Sequence, residues 1–234
     1  MRLSASGATG PTGCEPVPGA RLTVTAQHVH VAFDTPRDVL GSAVLNGGWC
    51  RARHLLNLRV NGQATPHEPP ETTLQRHARR QGWSGTVVGM MTAASLASLR
   101  VASGTVNDVS LAVLVTCGLS NLRRSGDRAE HRLHACAPPP GTINIQLLTS
   151  ASLTPAAMAE ALMMITEAKT AALHARDLRS PVSGLPATGT GTDALLVASD
   201  PRGPVQRYCG KHVLFGEVLG RLVLDAVGRA VDRA

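Results

Sequence analysis

Aromatic side chains are nearly absent from this chain, which has two Trp, one Tyr and two Phe in 234 residues. A core without them must be assembled from Ala, Val, Leu and Met, and a hydrophobic content of 43% is enough for a real one. Few rings also remain to stack on bases, and the arginines are scattered, with no run longer than two. The formal charge of +7 therefore points to surface charge or an anionic small ligand rather than to nucleic acid.

Lysine is scarcer still. Of 23 basic residues only Lys169 and Lys211 are lysine, and all the rest are arginine. A compact ammonium offers chemistry that a guanidinium cannot, so the context of each decides whether it is functional or incidental. Other absences narrow the field further. The cysteines (Cys14, Cys50, Cys117, Cys136, Cys209) are odd in number and irregularly spaced, without a C-x-x-C, which argues for reduced thiols in a cytoplasm over a disulfide framework. The N-terminus lacks the apolar core of a signal peptide. No apolar run approaches the ~20 residues that cross a bilayer, so no membrane is expected. Neither a G-x-G-x-x-G after a strand nor a Walker A is present, and no internal repeat is visible.

What is present reads as follows. Residues 1–20, rich in Gly, Pro, Ser and Thr, are expected to form a disordered tail, and residues 21–234 a single domain. Alternation over 21–33 gives a strand pair or one bent strand, and GSAVLNGG (41–48) a short buried strand ending in a turn. Further strands are expected over 54–60, 86–104 (as a pair), 109–118, 142–150 and 193–199, with a polar lid or rim over 119–140. A short helix is expected over 73–82 and two long ones over 154–174, capped by Thr154 with Pro155 at its first position, and 211–231. Strands outnumber helices without alternating regularly, which predicts an α+β or irregular α/β fold: a mixed sheet packed with two long helices and one short one.

On helix 154–174, Met158, Leu162, Ile165, Lys169 and Leu173 share one face, which places Lys169 inside an apolar stripe. A lysine desolvated there becomes a base or a tight anion ligand; the alternative is that it snorkels out. Glu167 falls on the opposite side. On the last helix Glu217, Arg221, Asp225 and Arg229 follow at steps of four with alternating sign, a solvated ladder. Lys211 and His212 are expected at that helix's start, where free N–H groups favour an anion. In TGTGTD, an extended backbone puts Thr188, Thr190 and Thr192 on one face, and the glycines let another backbone or a ligand come close; an ordinary Gly-rich loop is the plainer reading. His28 and His30 share a strand face, and His131 and His134 lie one helical turn apart, but no third ligand is indicated, so no protein metal site is expected. Cys117 closes a buried strand and is either a structural cysteine or a thiol nucleophile.

SAVLNGG, VVGMMTAA, TCGLSNLRRSGD, GTINIQLLTS, TEAKTAAL, ATGTGTD and YCGKHVLFGE, in this order from about residue 41 to 231, resemble the successive motifs of the adenosylcobinamide amidohydrolase family. Seven ordered blocks are far more specific than any one of them, whereas the stretch before residue 41 matches poorly. The resemblance implies corrinoid salvage: hydrolysis of the amide between the aminopropanol arm and the corrin ring, giving adenosylcobyric acid and 1-amino-2-propanol. The cobalt then belongs to the substrate, and no further cofactor is implied. Both lysines and Glu217 fall inside these blocks, so the role of Glu217 stays open.

Amide hydrolysis needs a nucleophile, an oxyanion donor and an acid for the leaving amine. The candidate catalytic set is Glu167, Lys169, Asp193 and His212, with Glu167 or His212 activating a water, Asp193 orienting His212, and Lys169 or Lys211 facing the oxyanion. A threonine hydroxyl in 188–192 with a lysine base is the covalent alternative. Candidate contacts to the amide-rimmed corrinoid are Asn46, Gly47, Gly48, Thr92, Ser120, Asn121, Thr142, Asn144, Thr188, Thr190, Thr192, Tyr208 and Lys211. The oligomeric state is left open, a homo-oligomer included.

Overall fold

A computed structural model of the chain describes residues 3–6, 13–60, 68–129 and 141–234. Its strands and helices run in the order β1 (Leu3–Ser6), β2 (Ala20–Val24), β3 (His28–Gly41), β4 (Gly48–Arg59), α1 (Pro70–Arg80), β5 (Val87–Thr92), β6 (Arg100–Val106), β7 (Val109–Cys117), β8 (Leu122–Arg123), β9 (Ile143–Thr149), β10 (Ser152–Leu153), α2 (Pro155–His174), β11 (Gly189–Thr190), β12 (Ala194–Ser199), β13 (Val205–Gln206) and α3 (Leu214–Val231). The fold is α+β, as the pattern of elements predicts.

One mixed sheet of nine strands carries the molecule, in the order β1-β6-β7-β9-β12-β3-β4-β5, with β2 added on β3. Its parallel pairs are β4 with β5 and β9 with β12, and each needs a crossover. Helix α1 lies in the first crossover and α2 in the second. The long strand β3 is the bent element. Beside β4 its register shifts between Ala32 and Arg37, while its other edge takes β2 along the first half and β12 along the second. A buried ion pair of Arg37 with Asp200 holds this bend.

The sheet has a core on each face. Helices α2 and α3 cover one, burying Met158, Ala161, Ile165, Leu173, Phe215, Leu219 and Val223 against Val113, Ile145 and Leu147. Each Met, Ile, Leu, Val or Phe among them contributes roughly 1.5–3 kcal/mol when fully buried. The other face curls on itself around Leu22, Val31, Leu55, Met90, Leu114 and Leu196. The curl brings strands from distant parts of the sheet together through buried amides. Asn57 on β4 donates to Thr116 Oγ1 on β7 at 2.8 Å. Asn144 on β9 donates to Asn57 Oδ1 at 2.9 Å and to the Met91 carbonyl on β5 at 2.8 Å.

Three expectations change. GSAVLNGG is not a strand: β3 ends at Gly41, β4 begins at Gly48, and the residues between form a turn in which Asn46 has φ 54°. Its amide donates to the Val87 carbonyl at 2.8 Å, tying the turn to β5. Residues 13–20 are packed rather than a tail, with Val17 and Ala20 buried and Gly13 N donating to Leu22 O, and Leu3–Ser6 pairs with β6. Helix α3 starts at Leu214 behind an N-cap at Val213, so Lys211 and His212 precede it.

Candidate functional site

Asp193 stands immediately before β12, and Lys169 lies one turn from the end of α2. The two form an ion pair in which both side chains are almost wholly buried, at 7% and 11% exposure. Lys169 therefore does not snorkel; it points from the apolar stripe into a carboxylate. Asp193 is held from three further sides. Oδ1 accepts from Ile143 N at 3.1 Å, from Thr190 N at 3.1 Å and from the Thr190 hydroxyl. A carboxylate with this many fixed donors stays where the backbone puts it.

The glycines of TGTGTD make the approach of α2 to this loop feasible. A β-carbon at Gly189 would lie 2.6 Å from Lys169 Nζ, and one at Gly191 would lie 2.9 Å from Asn121 Nδ2. Strand β11 pairs antiparallel with β8, and Gly191 N donates to Asn121 O at 3.0 Å. Thr170 Oγ1 donates to Thr188 O at 3.1 Å, clamping the loop to α2.

Around the pair lies a cavity of about 350 Å³. Arg123, Arg124 and Ser125 line it from β8 and the turn after it, Thr166, Lys169 and Thr170 from α2, and Thr188–Gly191 with Asp193 from the loop. Ser125 N and Oγ both contact Thr188 Oγ1, at 2.9 and 3.1 Å. Arg124 is anchored by the Pro186 carbonyl at 2.9 Å. Arg123, Arg124, Ser125, Thr166 and Thr170 are lining residues that sequence reasoning missed. Thr166 was findable, because it lies three residues before Lys169 on the helix, and Thr170 follows Thr166 at a step of four.

The remaining expected site residues do not line this cavity. Glu167 and Lys211 pair with each other at the surface, with side chains 49% and 65% exposed. His212 is exposed and makes no hydrogen bond or ion pair among the described residues. The expected Asp193–His212 pair is not formed, since Lys169, Thr190 and the Ile143 amide occupy the carboxylate. Tyr208 is exposed, and Glu217 pairs with Arg221 in the predicted ladder. Thr142 and Asn144 are buried beside the loop: Thr142 Oγ1 donates to Thr192 O at 2.7 Å, and Asn144 belongs to the amide network of the curl. Thr192 Oγ1 donates to Gly141 O at 2.8 Å, and Ser120 packs against Gly141. Thr92 is buried and accepts from Ala94 N. Asn46 and Gly47 belong to the turn before β4, where a β-carbon at Gly47 would meet the Ala43 backbone, and Gly48 opens β4 with φ +84°.

Cys117 is buried, and its thiol is pushed up to about 12 by burial and by the charge of Asp193, which disfavours the nucleophilic thiolate. His28 and His30 each meet a different histidine. His28 Nδ1 lies 3.0 Å from His77 Nε2, and His30 Nε2 lies 3.1 Å from His54 Nδ1. All four rings surround Trp83, on which His30 stacks at 3.7 Å between centroids. Among the described residues no group of three or more His, Cys, Asp or Glu is set to hold a metal ion, and His131 and His134 lie outside those residues. No described helix is long and apolar enough to cross a membrane.

Known proteins resemble the chain over much of its length. A protein of Methanosarcina mazei called adenosylcobinamide amidohydrolase is 30% identical over 200 residues, covering 82% of this chain and 88% of its own. One of the same name from Halobacterium salinarum is 33% identical over 127 residues, 52% of this chain and 50% of that protein. An uncharacterized protein of Methanocaldococcus jannaschii is 44% identical over 92 residues, 39% of this chain and 36% of its own. The family model described as adenosylcobinamide amidohydrolase matches residues 15–234, so the likeness starts well before residue 41. With nearly its whole length inside that model, the chain belongs to the adenosylcobinamide amidohydrolase family.

Proposed function

We propose that this protein hydrolyses the amide joining the aminopropanol arm to the corrin ring of adenosylcobinamide, releasing adenosylcobyric acid and 1-amino-2-propanol for cobalamin salvage or remodelling. The observation that carries this reading is the buried Lys169–Asp193 pair in a hydroxyl-lined cavity, in a chain of this family. A carboxylate and an ammonium held together offer a proton acceptor and a proton donor at one point, which is what amide cleavage requires.

The residues around the pair suggest the steps. Thr190 donates its hydroxyl to Asp193, so a proton acceptor is already in place. As Thr190 Oγ1 bonds to the scissile carbonyl carbon, its proton passes to Asp193. The Lys169 ammonium faces the developing oxyanion and then gives a proton to the departing nitrogen as the C–N bond breaks. Proton transfer from Asp193 to Lys169 restores the ion pair. Water then attacks the Thr190 ester and gives up one proton through Asp193; that proton ends on Thr190 Oγ1 as the C–O bond breaks, leaving the acid. Glu167 and His212, the bases expected for a water route, stand outside the cavity, which favours the threonine route. The cobalt is carried by the substrate, and this chemistry uses no cofactor of the protein's own.

The test is incubation of purified protein with adenosylcobinamide and mass spectrometry of the products. Adenosylcobyric acid and free aminopropanol are expected from the wild type, and from Thr190→Ser at a reduced rate. Thr190→Ala should be slower by roughly 10²-fold or more, and in the wild type an ester on Thr190 should be trappable. Corrinoid binding without release of aminopropanol by the wild type would make the protein a corrinoid carrier. Full activity in Thr190→Ala would assign the attack to water.

A further inference from the structure

The cavity around Lys169, at about 350 Å³, sits at the small end of sites that enclose drug-sized ligands, roughly 300–1,000 Å³. A corrin ring with its amide arms is far larger than such a ligand. Only the arm carrying the scissile amide fits the cavity, so the ring has to lie on the surface at its mouth. One rim of that mouth is polar, made by Arg123, Arg124 and Ser125. The other is helix α2, where Thr166 and Thr170 face the cavity.

Met163 lies one turn before Thr166 on the same ridge of α2. It is 62% exposed, while Met158, Met164 and Ile165 of the same helix are buried. Past Met163 the chain segment 208–211 runs along α2. Cys209 N donates to Glu160 Oε2 at 2.7 Å at one end, and Lys211 pairs with Glu167 at the other. Glu160 and Glu167 are two turns apart on the stripe beside Met163, so the segment passes next to it. Tyr208, the chain's one tyrosine, opens this segment and is also 62% exposed.

We propose that Met163 and Tyr208 form the platform on which the face of the corrin ring rests while its arm reaches Lys169. This assignment rests on reading the cavity as a corrinoid amidohydrolase site. A broad ring face is best met by a polarisable thioether and a flat phenol, both adaptable and both costly to leave in water without a partner. The exposed Glu167–Lys211 pair borders the platform and offers an acceptor and donors to amides on the ring's rim.

The experiment compares the wild type with a Met163→Asp, Tyr208→Ser double variant. Both side chains are solvent-exposed, so thermal unfolding should match the wild type. For adenosylcobinamide the expected result is a KM higher by roughly tenfold or more, with kcat within about threefold, as when binding common to ground and transition states is lost. An unchanged KM in an active, folded variant overturns the platform and leaves the amidohydrolase reading intact. If the wild type releases no aminopropanol, that reading fails, and equilibrium dialysis with adenosylcobinamide decides the platform alone. Weaker binding by the variant upholds it, and equal binding overturns it.

Discussion

Lys169 and Asp193 meet through a gap that Gly189 leaves open, because a β-carbon at that position would sit 2.6 Å from the lysine nitrogen. The methyl group of Gly189→Ala therefore has to push the two partners apart or tilt the loop. Displacements of about 1 Å at reacting groups typically lower turnover by about 10²-fold. A fall of that size in kcat is expected, with the far-ultraviolet circular dichroism unchanged. Wild-type turnover in this variant would show that the pair is not part of the reaction.

Lys169→Arg keeps the charge but not the compact ammonium, and a guanidinium cannot supply the proton that the leaving amine needs. Turnover should drop by at least ~10²-fold while the protein stays folded. Lys169→Met is a different experiment. It leaves the Asp193 carboxylate buried without its partner, a loss of roughly 3–5 kcal/mol in stability. Urea unfolding should show that loss for Met and a much smaller one for Arg; equal stability of Lys169→Met and wild type would mean that the pair is not buried in solution.

Histidine protonation should set the acid limit of the fold. Burial, followed by neighbouring imidazoles, lowers His28 to about 4 and His30 to about 3 from the ordinary 6.5. The unfolded chain takes up these protons as the pH drops below 6.5, whereas the folded chain refuses them until about 4 and 3. Stability is therefore unaffected by these groups above 6.5 and drains away between there and pH 3–4. The urea midpoint is expected to fall from pH 7 to pH 5. His30→Phe, which keeps a ring on Trp83, should flatten that slope, and an unaltered slope in this variant would contradict the assignment.

Chelation should leave the reaction intact. The cavity is lined by hydroxyls, guanidiniums and one ion pair, a donor set without imidazole or thiolate. Activity on adenosylcobinamide after exhaustive treatment with a chelator is expected to equal that of untreated enzyme. Loss of activity that zinc restores would require a metal in the reaction.

Much of this architecture was written in local pattern. The apolar stripe of α2 shows Lys169 on its buried face, Thr154 and Pro155 mark the helix start, and the Val- and Leu-rich runs mark β7 and β9. The i,i+4 ladder of α3 appears as Glu217–Arg221 and Asp225–Arg229. What pattern does not encode is which element stands opposite which. Asp193 faces α2 because β9 and β12 are parallel neighbours joined by that helix, which carries Lys169 back over the start of β12. Nothing in the spacing distinguishes this from a meeting with His212. The turn at 42–47 departs from the expected strand for a related reason. Its Val44 and Leu45 resemble a strand, but Asn46 in the left-handed region breaks the extended backbone before β4 begins at Gly48. The histidine cluster was equally hidden, since His28 and His30 on β3 find partners on β4 and α1 only once the bent sheet is formed.

The most direct measurement is a single-turnover comparison of wild type and Asp193→Asn with adenosylcobinamide, following release of 1-amino-2-propanol beside corrinoid affinity by equilibrium dialysis. Asparagine keeps the shape but cannot take a proton from Thr190, and unfolding curves establish that the variant is folded. Comparable corrinoid affinity is expected, with release slowed by roughly 10²-fold or more. Release at the wild-type rate by the folded variant would contradict Asp193 as the proton acceptor.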